Sequence, residues 1–388
     1  MSRGVAVAGA FAAGLVAGGA LVLSLPVPGV PDGGGPSRRP SPVIEPARVT
    51  TLLAWTPGGL PSGYVGQVRD LRAVRAAVAV NSGVAWLDAW EDADGRTHRP
   101  RRGFRIPIEV ASVHPATYAR FLPPGDRERL TGAGTVLVGR TFADAHDVDA
   151  GSTLRFGGVT LHVDGVIDDE LVGAHEVVVS DDMGPGLGIT RPRYMLVAPR
   201  TGTAARVEGV LRRLVPPGIR VRVRAPGETP VFRHGDAVLA PVRVKEVFGE
   251  FAARQLDGGL LEPDPAWVKA NIRTGRVPIL GPIRCHRLVI PLIRAALEDL
   301  VRRGLGHLVD PADYGGCYFP RYIARNPASS ISNHSWGIAI DVNVSQGLPG
   351  RQPTIDRRVV QAFEAQGFKW GGEFLIPDGT HFEFIRFP

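Results

Sequence analysis

Two short stretches near the C-terminus combine strand-like alternation with residue types that bind metal ions. In residues 338–344, isoleucine and valine share one face, whereas Asp341 belongs to the opposite face. In residues 380–384, two phenylalanines share one face and His381 belongs to the other. Because the apolar faces require a core, both stretches are predicted to be strands whose polar faces turn into a pocket.

His334 and Asp378 extend this set of polar residues. His334 precedes Asp341 by seven residues, an odd number, so on one straight strand the two side chains would point in opposite directions. A bend at Gly337 is therefore predicted. It would let His334, Asp341 and His381 surround one divalent metal with a fourth position open, as in catalytic zinc sites. Asp378, three residues before His381, is a candidate base for deprotonating water.

The spacing alone leaves an alternative open. A single histidine on a strand is more often a satisfied core residue than a ligand, and this pattern is less specific than the helical His-Glu-x-x-His motif. Other histidines lack ligand-like spacing and are predicted to be solvated or satisfied within the fold; they are His98, His114, His146, His162 and His175.

The composition predicts a globular protein of two domains and a tether. The chain has 388 residues with 49 glycines and 34 prolines, so loops are frequent. The net charge of +7 suits a nearby anionic polymer. No stretch interleaves basic and aromatic residues, so no nucleic-acid partner is predicted. The predicted fold class is α+β, with a mixed α/β domain at 47–232 followed by a second domain at 233–388.

The N-terminus carries a membrane or export signal. Residues 5–25 are apolar or small and uncharged, a length sufficient to cross a bilayer as a helix. An uncleaved anchor at 1–25 is the preferred interpretation, and a cleaved signal peptide remains open. Residues 26–46 are rich in proline and glycine and are predicted to be an extended linker. Both interpretations place the rest of the chain outside the cytoplasm.

The middle region alternates short strands and helices. Residues 68–78 have helical periodicity, 135–138 favour a strand and 141–147 a short helix. A Gly-Gly pair at 157–158 predicts a hairpin. The run 139–156 and the strand after it resemble the extracytoplasmic core domain of the FtsX/MacB permease group. That resemblance implies envelope placement and an envelope protein partner, with a simple spacer as the open alternative; transport is not implied.

The C-terminal region contains two predicted helices and both cysteines. Residues 287–303 and 356–366 present one apolar face at helical spacing, and glycines follow both. Cys285 and Cys317 are predicted to form a disulfide in an oxidising compartment, with two buried thiols as the alternative.

Two motifs in this region resemble those of LAS-type zinc peptidases. Residues 332–341 read Ser-x-His-x-x-Gly-x-Ala-x-Asp, and 378–381 read Asp-x-x-His. The likeness extends to 315–321 and 367–372. This family includes VanY-like D-alanyl-D-alanine carboxypeptidases and the L-alanyl-D-glutamate peptidases of phage endolysins. It implies an antiparallel sheet with helices.

The resemblance also implies a role for each matching residue. His334, Asp341 and His381 would bind zinc, and Asp378 would be the general base, with Glu373 and Glu383 as weaker candidates. Arg321 would polarise the scissile carbonyl or hold a substrate carboxylate, although Arg325 lies nearby. Ser332 and Trp370 are predicted to contribute to substrate binding, whereas core packing is favoured for Trp336.

The sequence therefore predicts an envelope-anchored zinc peptidase that trims peptidoglycan stem peptides. The D-alanyl-D-alanine carboxypeptidase type is preferred. An L-alanyl-D-glutamate endopeptidase of the same family and a catalytically silent cell-wall-binding scaffold remain alternatives.

Overall fold

The computed structural model describes residues 51–130, 132–225 and 233–388. The predicted anchor at 1–25 and linker at 26–46 lie outside these ranges. Within them, no helix has the length and apolar character needed to span a membrane. The described residues belong to one compact unit.

The first part of this unit contains two sheets and five short α-helices among the residues described. The helices are α1 (Tyr64–Arg69), α2 (Pro115–Tyr118), α3 (Pro124–Arg127), α4 (Arg140–His146) and α5 (Ala204–Leu214). The strands are β1 (Leu52–Trp55), β2 (Val74–Leu87), β3 (Ala89–Glu91), β4 (Thr97–His98), β5 (Ile106–Val113), β6 (Val136–Gly139), β7 (Thr153–Phe156), β8 (Val159–His162), β9 (Gly165–Ile167), β10 (Val177–Ser180), β11 (Pro192–Pro199) and β12 (Arg222–Arg224).

An eight-stranded mixed sheet dominates this part, in the order β12-β1-β11-β2-β5-β10-β6-β9. Its central strands are covered on both faces: in β10, Val177 and Val179 join one apolar cluster, whereas Val178 joins another. Strands buried on both faces are continuous apolar runs. A four-stranded sheet, β4-β3-β7-β8, contains the predicted hairpin, because β7 pairs with β8 across Gly157 and Gly158.

The second part is built from small antiparallel sheets and helices. Its helices are α6 (Pro241–Phe248), α7 (Pro265–Asn271), α8 (Ile290–Arg302) and α9 (Arg357–Glu364). Its strands are β13 (Ala253–Leu256), β14 (Leu260–Pro263), β15 (Ile272–Val277), β16 (Gly281–His286), β17 (Ala339–Asp341), β18 (Phe368–Trp370) and β19 (His381–Phe384).

One core joins the three-stranded sheet β17-β19-β18 to α8 and α9. Helix α8 contributes Ile293, Leu297 and Leu300, as its periodicity predicts. Asp356 caps the N-terminus of helix α9, and its carboxylate accepts a hydrogen bond from the Arg358 amide. The observed sheets and helices agree with the predicted mixture of α and β structure.

One predicted element is wrong. Residues 68–78 have helical periodicity, but helix α1 ends at Arg69. Strand β2, the longest strand described, begins at Val74. Ala77 packs into the cluster on one face of the sheet and Val78 into the cluster on the other. Because both faces are apolar, β2 lacks the alternation that identifies a half-buried strand.

The two parts pack tightly against each other. The Trp86 indole N–H donates to the Tyr322 hydroxyl at 3.0 Å. Lys245 of α6 is only 8% exposed, and its ammonium donates to Glu176 and to the Pro107 carbonyl, both at 2.6 Å. The division between 47–232 and 233–388 stays a prediction.

Candidate metal centre

Strand pairing brings Asp341 and His381 together. Strands β17 and β19 are antiparallel neighbours, and their register places Asp341 directly opposite His381. Residues opposite each other project from the same face of a sheet. As a result, Asp341 Oδ1 lies 3.0 Å from His381 Nδ1.

His334 approaches from a short 3-10 helix, Asn333–Ser335. The chain turns at Gly337, whose φ of 68° lies in the left-handed region, so the predicted bend is present. A Cβ there would lie 2.7 Å from the His286 backbone nitrogen, which leaves room only for glycine. His334 Nε2 is consequently 3.2 Å from both His381 Nδ1 and Asp341 Oδ2.

Three ligand-type atoms thus converge. His334, Asp341 and His381 each offer one atom, and these atoms lie within 4.8 Å of one another. No second such cluster of histidine, cysteine or acidic residues occurs in ranges 51–130, 132–225 and 233–388. The three predicted ligands are therefore brought to one place.

The outer nitrogens of both rings are also held. His334 Nδ1 lies 2.8 Å from the Cys317 carbonyl, which can only accept, so this nitrogen carries the proton. His381 Nε2 lies 3.4 Å from Glu383, a carboxylate that is 4% exposed and also accepts from Asn333 at 2.8 Å. Such partners orient metal-binding imidazoles and turn their free nitrogens toward the ion.

The hydrogen bonds of the site favour the charged forms of Asp341 and His381. Burial raises the pKa of Asp341, but hydrogen bonds from His334 and His381 outweigh it and hold that pKa well below its usual range. Burial lowers the pKa of His381, but Asp341 and Glu383 outweigh it and raise it to about 10. A donor set of two imidazole nitrogens and one carboxylate fits a divalent metal such as zinc.

Asp378 closes the loop 371–378 next to this centre. Its amide donates to the Gly371 carbonyl at 2.9 Å, and its carboxylate accepts from the Thr380 hydroxyl at 2.9 Å. Of the weaker candidates for the base, Glu373 is ion-paired with Lys369 at the surface, whereas Glu383 is engaged by His381 and Asn333. Among the described residues, the Asp378 carboxylate has neither an ion pair nor a histidine partner, and it accepts only from the Thr380 hydroxyl.

Arg321 is linked to His334 of the metal centre through Ser332. Its guanidinium donates to Ser332 Oγ at 2.7 Å, and Ser332 Oγ also accepts from the His334 amide at 3.4 Å. Burial lowers the pKa of Arg321, whereas the charge of Asp341 acts to raise it. Arg325 is exposed and stacks on Phe319 at 5.4 Å.

The two tryptophans are both largely enclosed. Trp336 is 1% exposed, lies in the core and donates to the Gly249 carbonyl, as favoured from the sequence. Trp370 is 7% exposed and donates to the Gly379 carbonyl at 2.9 Å. Its contact with substrate stays a prediction.

The predicted strand 338–344 is shorter than expected. It ends at Asp341, and Asn343 adopts a φ of 51°. The Asn343 side chain binds the Leu308 carbonyl and the Asp310 amide, so it secures a neighbouring loop and does not orient a ligand.

The backbone group that binds His334 was not predictable from the sequence. The Cys317 carbonyl holds His334, yet a carbonyl has no sequence signal. A disulfide joins Cys317 to Cys285, with 5.4 Å between their Cα atoms, and fixes this segment to β16.

Residues 325–384 match the D-alanyl-D-alanine carboxypeptidase family. The matched segment contains His334, Asp341, Asp378 and His381, whereas Arg321 precedes it. No curated protein matches the chain.

Two solved structures are similar to part of the chain. The periplasmic region of MacB from Actinobacillus actinomycetemcomitans shares 11% identity at a TM-score of 0.32, covering 45% of this chain and 89% of its own. The extracellular domain of the noncanonic ABC-type transporter YknZ from Gram-positive bacteria shares 15% identity at a TM-score of 0.30, covering 42% and 91%.

Proposed function

We propose that this protein is a zinc-dependent peptidase that hydrolyses peptidoglycan stem peptides, of the D-alanyl-D-alanine carboxypeptidase type. One observation carries the proposal. The two histidines and the aspartate that converge within 4.8 Å lie in the segment that matches that carboxypeptidase family. The hydrogen bonds to the outer ring nitrogens agree with it, because such partners orient imidazoles that bind a metal.

His334, Asp341 and His381 would hold the metal. When bound, zinc supplies Lewis-acid polarisation of a carbonyl oxygen and makes water more acidic. Asp378 takes a proton from the attacking water and returns it to the leaving amine. Arg321, fixed by Ser332, provides positive charge where the carbonyl oxygen becomes negative or where the substrate ends in a carboxylate.

The proposal includes a location. The uncharged segment 5–25 would anchor the protein in the cell membrane, with the catalytic residues on the extracytoplasmic side where peptidoglycan lies. The sheet-rich first part would then contact an envelope protein.

The experiment is mass spectrometry of purified muropeptides incubated with the full chain, with and without a chelator. Loss of one terminal alanine that the chelator prevents is the expected result. Cleavage between L-alanine and D-glutamate would establish the endopeptidase alternative instead. If folded, zinc-loaded protein leaves every muropeptide unchanged, the peptidase proposal is wrong and a silent scaffold becomes the better explanation.

A further inference from the structure

Leu375 of the loop 371–378 is held by residues near the end of the first part of the chain and by the segment that follows β12. The Leu375 amide donates to Asp236 Oδ2 at 2.9 Å, and its carbonyl accepts from the Arg220 guanidinium at 3.0 Å. Its side chain packs against the apolar cluster that contains Leu53 and Trp55 of β1. Backbone donor, backbone acceptor and side chain are thus all held by residues from outside the loop.

Arg222 of β12 reinforces this attachment. One of its nitrogens lies 2.7 Å from Asp236 Oδ1, and another donates to the Glu373 carbonyl at 3.0 Å. The Asp236 side chain is only 12% exposed, so water competes weakly with these contacts. We name the set formed by Arg220, Arg222, Asp236 and Leu375 the loop clamp.

The clamped loop lies beside the metal centre, because the Asp378 carbonyl at its end accepts from the His381 amide at 3.3 Å. The Phe374 ring lies 6.0 Å from the His381 ring, centroid to centroid. Asp378 lies three residues beyond Leu375 and bonds back to Gly371. The segment that follows Asp236 also contacts a residue of the site, because the Val238 amide donates to Glu383, the partner of His381, at 3.3 Å.

We propose that Asp236 and Leu375 are positioning residues that hold the loop 371–378 so that Asp378 keeps its place beside the metal ligands. This inference rests on the proposed function. The end of the first part of the chain and the segment that contains Asp236 then help to position the catalytic loop. Small displacements of a reacting group are costly: about 1 Å lowers turnover by about 100-fold.

The test compares full-length Asp236→Ala with Asp236→Asn, which retains an oxygen acceptor for the Leu375 amide. Asp236→Ala should lower kcat by about 10-fold to 100-fold, with KM changed by less than about threefold and zinc content unchanged. Asp236→Asn should recover most of kcat. Glu208→Ala is the matched control, because it removes an ion pair with Arg212 on α5 that does not contact the loop.

Hydrogen exchange of residues 371–379 provides a readout that needs no activity. Asp236→Ala should accelerate exchange there and Glu208→Ala should not. Unchanged exchange would overturn the clamp, and faster exchange with an unchanged kcat would overturn its role in positioning. If Asp236→Ala does not fold, Arg222→Gln should show the same changes at smaller size. A wild-type protein that cleaves no muropeptide would refute the proposed function, and exchange would still decide the clamp.

Discussion

Glu383 carries no ligand atom in the three-residue cluster, yet it should govern metal affinity. Its carboxylate lies against the outer nitrogen of His381 and is almost fully buried. Glu383→Gln keeps the shape but removes the charge that makes the ring a stronger ligand. We expect zinc affinity to fall by about 10-fold to 100-fold in competition with a chelator. Glu373→Gln is the control, and equal affinity in both variants would contradict this role.

Asp378 should affect turnover without affecting metal binding. Asp378→Asn removes the proton acceptor while preserving the hydrogen bond from Thr380, so kcat should fall by about 100-fold to 10,000-fold at unchanged zinc content. His381→Ala should instead lose metal and activity together. Near-full turnover by Asp378→Asn would show that another group is the base.

At the scale of the elements, the disulfide connects β16 to the segment that holds His334. The two cysteines are 32 positions apart in the sequence. A cross-link that closes a loop of this size stabilises a protein by about 3 kcal/mol. The double variant Cys285→Ala with Cys317→Ala should therefore unfold at a lower urea concentration. It should also bind zinc more weakly, since the Cys317 carbonyl holds the His334 ring. If zinc affinity stays constant, the strand pairing alone fixes that carbonyl.

The elements that the sequence predicted well are those with local signals. The hairpin β7–β8 follows from its Gly-Gly turn, and α8 from its apolar face. The start of β2 has a helical pattern in the sequence, because its two buried faces remove the alternation typical of a strand. The strand at 338–344 ended early because Asn343 takes a left-handed conformation to reach Leu308 and Asp310.

The candidate site also contains features with local sequence signals and features without them. The convergence of His334, Asp341 and His381 was predictable, because the alternation and the bend at Gly337 are encoded locally. The attachment of Leu375 to Asp236 was not, because it depends on tertiary packing between segments 139 residues apart.

At the scale of the whole molecule, a buried charge cluster joins the two parts. The Lys245 ammonium lies 2.6 Å from Glu176 and 3.0 Å from Glu250. Burial lowers the pKa of Lys245, but the two carboxylates outweigh it and raise that pKa, so the ammonium stays charged. His146 lies 3.1 Å from the other oxygen of Glu250. Lys245 therefore supplies the positive charge that pairs with both carboxylates.

Replacing Lys245 should weaken the whole fold. Lys245→Met leaves the buried Glu176 and the partly buried Glu250 without their ammonium, and breaking a buried pair such as Lys245 with Glu176 costs about 3–5 kcal/mol of unfolding free energy. Adding Glu176→Gln and Glu250→Gln should recover much of that loss, because the neutral side chains no longer require a cation. Arg212→Ala, at a surface ion pair, should change stability by less than about 0.5 kcal/mol. Urea unfolding of the full chain measures all three, and a Lys245→Met protein as stable as wild type would show that the interface does not depend on this charge cluster.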